Sequence, residues 1–176
     1  AAVSARFFAL VPAAGSGSRA GQPVPKQYVE LAGRSLIAHT LAALGAVPEL
    51  QQTLVVLAPD DERFAAAAPG FGGWTARCGG ATRAAAVRAG LRALREQGVD
   101  EQDWVLVHDA ARCLLRPEWV QSLIAACRAD EVGGLLAQPV ALPSLPRAVA
   151  LLMSELAHEE PSLRRLSQFF GTDPAL

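Results

Sequence analysis

The stretch FFALVPAAGSGSRAG (residues 7–21), followed by Pro25-Lys26-Gln27, decides the fold class of this chain. Its first five residues, Phe7–Val11, form an apolar run that is typical of a buried strand. The glycine-rich loop that follows lets the backbone approach a ligand closely, so that successive N–H groups can point at one anion. Arg19 and Lys26 add two cations that suit a polyphosphate. The stretch therefore predicts an anion-binding loop after a buried strand; the alternative is an ordinary loop with solvated charges.

The composition indicates one soluble domain. The chain has 176 residues, of which 51% are hydrophobic, and a formal net charge of −1, which argues against a general nucleic-acid binder or a membrane-surface protein. No apolar run approaches the roughly 20 residues of a membrane span, and the first residues lack the layout of a signal peptide. Because Cys78, Cys113 and Cys127 are widely spaced, neither a disulfide framework nor a zinc site is expected, and no residue is assigned as a metal ligand. We expect a cytoplasmic protein.

Strand and helix patterns alternate along the chain. Short apolar runs bounded by turn residues predict strands at Phe7–Val11, Thr53–Ala58, Trp104–His108 and Gly134–Ala137. Helices are predicted after the caps Ser35 and Thr82 and from Pro117, the first two ending at Gly45 and near Gly98. Their apolar stripes include Ala84, Val87, Leu91 and Leu94 in the second helix, and Val120, Leu123, Ile124 and Cys127 in the third. The alternation predicts a doubly wound, mostly parallel α/β sheet with ligands at the carboxyl ends of its strands.

A second segment with a ligand-binding pattern is Cys78-Gly-Gly-Ala-Thr-Arg83. Two glycines before a helix start give a flat backbone surface, with free N–H groups at the positive end of the helix. Such a surface suits a nucleobase edge or a ribose. The alternative is a plain capped helix with a solvated Arg83.

A third segment, Val107-His-Asp-Ala-Ala-Arg112, directly follows a predicted strand. Asp109 and Arg112 therefore occupy the edge of the sheet where ligands bind. A carboxylate there can orient a hydroxyl or help to hold Mg²⁺, and the arginine can bind a phosphate. The alternative is a structural Asp109 with an exposed arginine. His108 is predicted to be structural, because no nucleophile is paired with it.

In this order the segments resemble the 2-C-methyl-D-erythritol 4-phosphate cytidylyltransferase family of the non-mevalonate isoprenoid pathway. The resemblance covers about residues 6–140, through VPAAGSGSRAG…PKQY, GGATRAAAVRAGL, VLVHDAARCLL and GGLLAQPV. It implies a Rossmann-like nucleotidyltransferase fold, a homodimer, and a Mg²⁺ ion held mainly by the CTP phosphates. It also implies the reaction: CTP is joined to methylerythritol phosphate and pyrophosphate is released.

The resemblance assigns roles to individual residues. Arg19 and Lys26 match the catalytic cations, and Asp109 and Arg112 match positions that bind the acceptor. The nucleotide contacts that it implies are Pro12, Ala13, Ala14, Gly15, Ser16, Gly17, Gly79, Gly80, Ala81, Ala86 and Ala110. No covalent nucleophile is needed, because positioning and charge neutralisation carry most of phosphoryl-transfer catalysis.

The chain also departs from the family pattern. Ala81 stands where the family has an acidic or similar polar residue, and Ala86 where it has a serine. After Val140 the family's Asp-Thr pair, dimer-swapped arm and late lysine strand do not appear. We therefore expect one nucleotidyltransferase domain over residues 1–176, without the arm near 140/141 and the C-terminal strand. The alternatives are a diverged nucleotide-binding homologue without transfer activity, a cytidylyltransferase for another polyol phosphate such as ribitol 5-phosphate, and a nucleotidyltransferase for a sugar 1-phosphate.

Overall fold

The computed structural model describes residues 5–15, 24–129 and 133–136. Its strands are β1 (Phe7–Pro12), β2 (Glu30–Leu31), β3 (Arg34–Ser35), β4 (Leu50–Val56), β5 (Trp74–Ala76) and β6 (Trp104–Val107). Its helices are α1 (Leu36–Gly45), α2 (Phe64–Ala67), α3 (Arg83–Glu96) and α4 (Pro117–Cys127), and residues Lys26–Tyr28 form a 3-10 turn. The junction near 140/141 and the predicted end of the domain lie outside the described residues.

The main sheet has four parallel strands in the order β5-β4-β1-β6. β1 pairs on both edges, with Ala9 opposite Thr53 of β4 and Leu106 of β6. The strands β2 and β3 form a separate antiparallel pair. Because all four strands of the main sheet run in the same direction, their carboxyl ends lie at one edge. The predicted α/β sheet is confirmed, with β2, β3 and β5 as strands that the sequence patterns did not indicate.

The two faces of β1 pack into two separate cores. Phe7, Ala9 and Val11 join a cluster with residues of α1 and α4, whereas Phe8 and Leu10 join a cluster with residues of α3. Successive side chains of a strand point to opposite faces, so helices cover both faces of the sheet. This double burial is the reason why the strand reads as a continuous apolar run rather than an alternating one.

The predicted helix starts are confirmed. The Ser35 hydroxyl oxygen accepts a hydrogen bond from the Ala38 N–H at 3.2 Å, and the Thr82 hydroxyl oxygen accepts one from the Ala85 N–H at 3.1 Å. Pro117 is the first residue of α4, where its missing N–H costs no helical hydrogen bond. Among the described residues, no helix combines the length and the apolar character needed to cross a membrane.

The predicted stripe on α3 is confirmed at Leu94, which is buried, and at Val87, which packs against the core, but it is wrong at Ala84 and Leu91. Leu91 is 40% exposed and Ala84 is exposed, whereas the fully buried positions are Ala86, Gly90 and Leu94. A Cβ atom on Gly90 would lie 2.5 Å from Leu10 Cδ1 and 2.6 Å from Val56 Cγ2. The small residues Ala86 and Gly90 therefore face the sheet together with Leu94, and the lack of a side chain at Gly90 allows α3 to lie close to β1 and β4.

The predicted strand Gly134–Ala137 is also wrong over its described part. Residues 133–136 have no regular structure, and Leu135 is 96% exposed. Gly133 has a φ of +105°, a conformation outside the extended region that a strand requires. Ala137 lies outside the described residues. The paired strands also differ slightly from their predicted bounds: β4 begins at Leu50 and ends at Val56, and β6 ends at Val107.

Candidate active site

The loop after β1 is fixed to the carboxyl edge of the sheet by its backbone. The Ala13 N–H donates to the Val56 carbonyl oxygen at 2.8 Å. The Gln27 side-chain amide donates to the carbonyl oxygens of Ala13 and Gly15 at 2.9 and 3.0 Å. The N–H of Ala13 is thus already used within the protein, so it cannot be one of the N–H groups that the sequence predicted for an anion. Ser16, Gly17 and Arg19 lie outside the described residues, and their roles stay predictions.

Lys26 is the only lysine of the chain and stands exposed on the 3-10 turn. The next two side chains, Gln27 and Tyr28, are both buried at 7% exposure. The Tyr28 hydroxyl donates to the Asp61 carboxylate, whose other oxygen caps α2 by accepting from the Phe64 N–H at 2.9 Å. Burial, with the hydrogen bond to Asp61, raises the pKa of Tyr28 well above its ordinary value, so the phenol stays a neutral donor. The turn is therefore anchored on two sides.

The second predicted segment meets the first at Gly79. The Gly79 N–H donates to the Leu57 carbonyl oxygen at 2.9 Å. A Cβ atom on Gly79 would lie 2.1 Å from Ala14 Cβ and 2.7 Å from the Leu57 carbonyl oxygen. Only glycine allows the two loops to pack this closely. The residues that follow, Gly80 and Ala81, are exposed next to the start of α3, as a ligand-binding surface requires.

The second and third segments are joined through Asp109. One carboxylate oxygen of Asp109 accepts from Arg83 Nε at 2.8 Å, and the other pairs with Arg112 Nε at 2.9 Å. The Asp109 side chain is 29% exposed and the two arginine side chains are about half exposed. Arg83 is therefore not the solvated residue of the alternative interpretation. One carboxylate holds the start of α3 against the end of β6 and places two guanidinium groups at the same edge.

The turn that carries Asp109 is supported from beneath. Thr40 of α1, which is completely buried, donates its hydroxyl to the Ala110 carbonyl oxygen at 2.9 Å. The His108 N–H donates to the Leu10 carbonyl oxygen at 3.0 Å, and its ring nitrogen Nε2 lies 3.1 Å from the Arg112 carbonyl oxygen. These contacts agree with a structural His108. Ala110 is a predicted nucleotide-binding residue, and the hydrogen bond from Thr40 fixes its backbone carbonyl to α1.

Comparison with known proteins identifies the family of the chain. The 2-C-methyl-D-erythritol 4-phosphate cytidylyltransferase family, IspD, matches residues 7–151, which is most of the chain. The chain belongs to this family. The resemblance over about residues 6–140 is thereby confirmed, and the family match extends a little further.

Individual members of the cytidylyltransferase family are similar to the chain. The bifunctional enzyme IspD/IspF of Albidiferax ferrireducens is 56% identical over 136 residues, which are 77% of this chain and 32% of that protein. The 2-C-methyl-D-erythritol 4-phosphate cytidylyltransferase of Paraburkholderia phymatum is 48% identical over 162 residues, 90% of this chain and 67% of that protein. A crystal structure of 4-diphosphocytidyl-2C-methyl-D-erythritol synthase matches with a TM-score of 0.66 and 34% identity, over 78% of this chain and 61% of that one. The matches thus span between about a third and two thirds of these relatives' lengths.

One predicted nucleotide contact has a different place. Ala86 is 1% exposed and packs with Phe8 and Leu10 in the core between α3 and the sheet. In the described structure it offers no surface to a ligand, because the first turn of α3 directs it at the strands. Pro12, the last residue of β1, is partly buried opposite Val56.

Three residues of the site were not predicted from the sequence: Gln27, Thr40 and the pairing partner Arg83. Gln27 follows the catalytic candidate Lys26 directly, and Thr40 is a polar residue that shares one helix face with the apolar residues Ile37 and Leu44. Both signals are visible in the sequence. Their partners are not, because each partner lies in another segment.

Proposed function

We propose that the chain carries the nucleotide-binding and transfer site of a cytidylyltransferase that joins CTP to 2-C-methyl-D-erythritol 4-phosphate and releases pyrophosphate. The observation that carries this proposal is the meeting of three segments at one sheet edge. Gly79 packs on Ala14, and Arg83 pairs with Asp109. Family membership supports the reaction, and the meeting of the three segments supports this edge as its location.

The reaction requires charge neutralisation more than covalent chemistry. A phosphate oxygen of the acceptor attacks the α-phosphorus of CTP, the bond from that phosphorus to the bridging oxygen breaks, and pyrophosphate leaves with the electron pair. Lys26, exposed on its anchored turn, would stabilise the negative charge on the α-phosphate and on the departing group, together with Arg19. Fixed cations stabilise developing charge without a reorganisation cost.

We place the acceptor beside Asp109, at the carboxyl end of β6. Arg112 would bind the acceptor phosphate, and Asp109 would orient an acceptor hydroxyl, as the family resemblance implies. Because Arg83 and Arg112 hold both oxygens of the carboxylate, Asp109 is positioned before any substrate arrives. Pre-orientation of this kind lowers the entropic cost of reaching the transition state.

Mg²⁺ fits this site as a partner of the nucleotide. Among the described residues there is no cluster of three or more His, Cys, Asp or Glu side chains that would hold a metal ion. Asp109, a carboxylate at the edge, already pairs with two arginines. That Mg²⁺ is held mainly by the CTP phosphates is what the family resemblance implies, and substrate phosphates are common ligands of this ion. When bound, the ion would neutralise phosphate charge.

The biological setting is also part of the proposal. We infer a homodimer in the cytoplasm, with CTP and a polyol phosphate as the small-molecule partners, from what the family resemblance implies. The relatives extend beyond the matched region.

The test is pyrophosphate release from CTP and methylerythritol phosphate by the full-length protein, with Lys26→Ala as the deciding variant. We expect kcat to fall by about 10²–10³-fold, the range for losing a group that stabilises transition-state charge. Arg95→Ala is the matched control. It also removes one cation, from an exposed ion pair on α3, and should leave kcat unchanged. Unchanged turnover in Lys26→Ala would refute the mechanism.

Two alternatives are outcomes of the same experiment. CTP binding by calorimetry without product from any polyol phosphate would support a nucleotide-binding homologue. Product with ribitol 5-phosphate in preference to methylerythritol phosphate would change the acceptor, and stronger binding of UTP or GTP would change the nucleotide. Each of these results would overturn the proposed reaction while leaving the family assignment intact.

A further inference from the structure

We infer that Gln27 is a positioning residue of the transfer reaction: its amide sets the distance between the glycine-rich loop and Lys26. The inference rests on the proposed function for its catalytic readout and on the contacts of Gln27 for its structural readout. Gln27 is the residue next to Lys26, so any change in its position moves the lysine.

The contacts require a donor at this position. The side-chain nitrogen of Gln27 lies 2.9 Å from the Ala13 carbonyl oxygen and 3.0 Å from the Gly15 carbonyl oxygen. Two carbonyl oxygens can be satisfied at once only by a group with two N–H donors, which a primary amide has. Because Gln27 is 7% exposed, water does not readily replace the bonds, and losing them costs the desolvation of two backbone groups.

The bonds join the two ends of the predicted anion-binding stretch. Ala13 and Gly15 follow β1, whereas Gln27 lies on the 3-10 turn twelve residues beyond Gly15. Tyr28 fixes the other side of the same turn to Asp61. Gln27 and Tyr28 thus hold the turn between the glycine-rich loop and α2. The Lys26 side chain is exposed, but the backbone that carries it cannot shift without breaking one of these contacts.

A catalytic cation needs this kind of support. A misplacement of about 1 Å in a phosphoryl-transfer site can cost about 10²-fold in rate. A lysine on a flexible four-carbon side chain contributes a point charge without fixed geometry, so its backbone must supply the precision. Hydrogen bonds from a buried amide to the phosphate-facing loop couple the position of the cation to the position of the nucleotide.

The deciding variant is Gln27→Glu, which keeps the size and removes the donors when ionised. An ionised carboxylate would face two carbonyl oxygens, so the loop and the turn must separate. Protonation restores one O–H donor, and burial raises the pKa of such a carboxyl group by up to several units. Lys26, the neighbour in the chain, favours the ionised form, and Asp61, beyond Tyr28, disfavours it. The defect should therefore be large at pH 8 and smaller at pH 6.

The activity readout is the ratio of variant to wild-type kcat between pH 6 and pH 8.5. We expect a loss of about 10²-fold in kcat at pH 8, a smaller change in KM for CTP, and a ratio that recovers at least severalfold toward pH 6. Gln121→Glu is the matched control, since Gln121 contacts Glu49 at the opposite end of β4. We expect Gln121→Glu to lower the stability of the protein but to keep its kcat. This result would separate a loss of positioning from a general loss of stability.

A second readout does not depend on turnover. Lys26 is the only lysine among these 176 residues, so reductive methylation of the 176-residue chain with a ¹³C label gives one lysine signal in an NMR spectrum. Gln27→Glu should shift this signal, and should accelerate amide exchange in residues 13–15, at pH 8 but much less at pH 6.

The outcomes separate the two proposals. If the wild-type protein releases no pyrophosphate, the proposed function fails, whereas the lysine signal and the amide exchange still decide the role of Gln27. The inference would be overturned if Gln27→Glu at pH 8 had the same kcat, the same lysine signal and the same amide exchange rates as the wild-type protein. A loss that is equal at all pH values and matches that of Gln121→Glu would overturn it as well, because it would indicate destabilisation alone.

Discussion

The ion pair between Arg6 and Asp103 allows a stability prediction with a defined size and pH dependence. The Asp103 carboxylate accepts from the Arg6 backbone N–H at 2.9 Å and from its guanidinium group at 2.6 Å. Its side chain is 5% exposed. The Arg6 hydrogen bond, against the opposing effect of burial, lowers the pKa of Asp103 from 3.8 to about 2. The pair joins the start of β1 to the start of β6.

The lowered pKa converts into a free energy of unfolding. One pKa unit corresponds to about 1.4 kcal/mol, so a drop of this size in Asp103 contributes about 2 kcal/mol to the native state. Because the native pKa is the lower one, the contribution is complete above about pH 5, and it is lost as the pH falls toward 2. Asp103→Asn should therefore destabilise the protein by about 2 kcal/mol at pH 7 and by about 1 kcal/mol or less at pH 2.5.

Urea unfolding, followed by circular dichroism at pH 7, 4 and 2.5, measures this difference. Urea is preferred to guanidinium chloride because an ionic denaturant screens the pair. Glu101→Gln is the matched control: Glu101 also pairs with an arginine, Arg95, at 2.8 Å, but both side chains are about 70% exposed, so a change below about 0.5 kcal/mol is expected. A cost for Asp103→Asn below about 0.5 kcal/mol at pH 7, or an equal cost at pH 2.5, would refute the reasoning.

Two further predictions concern the loops of the site. In Gly79→Ala the added methyl group would overlap Ala14, so we expect CTP affinity by calorimetry to fall at least about tenfold, with 1–3 kcal/mol of destabilisation. Gly72→Ala, where the methyl group meets no atom within 4 Å, should change neither, and normal CTP binding by Gly79→Ala would contradict the proposed contact between the loops. Thr40→Val leaves the buried Ala110 carbonyl oxygen without its donor, so urea unfolding should show a loss of about 1–3 kcal/mol; a loss below about 0.5 kcal/mol would show that the bond to α1 is dispensable.

Local signals in the sequence predicted the helix starts and the central strands. Ser35, Thr82 and Pro117 act through neighbours in the chain, so their patterns could be interpreted without knowledge of the fold. The buried strand Phe7–Val11 was equally clear, because a strand covered on both faces contains only apolar residues. The placement of the three segments at one edge followed from the parallel arrangement of those strands.

Contacts between distant segments could not be predicted in the same way. The face that α3 turns to the sheet depends on Leu10 and Val56, which meet Gly90 only in the folded protein. The pair Arg83–Asp109 joins residues 26 positions apart. The apolar residues of Gly134–Ala137 suggested a strand, but a strand needs a partner, and within the described structure residues 134–136 pair with none of the sheet strands.

The position of β1 in the sheet has a consequence for synthesis of the protein. β1 pairs along both edges, yet Trp104, opposite Phe7, follows it by 97 residues. At about 5–20 residues per second, the ribosome needs roughly 5–20 s to supply that partner. During this interval one edge of a strongly apolar strand has no native neighbour, and non-local parallel pairing of this kind is slow to form once the chain is available. Binding of a chaperone to residues 7–12 during this interval would protect that edge from non-native pairing.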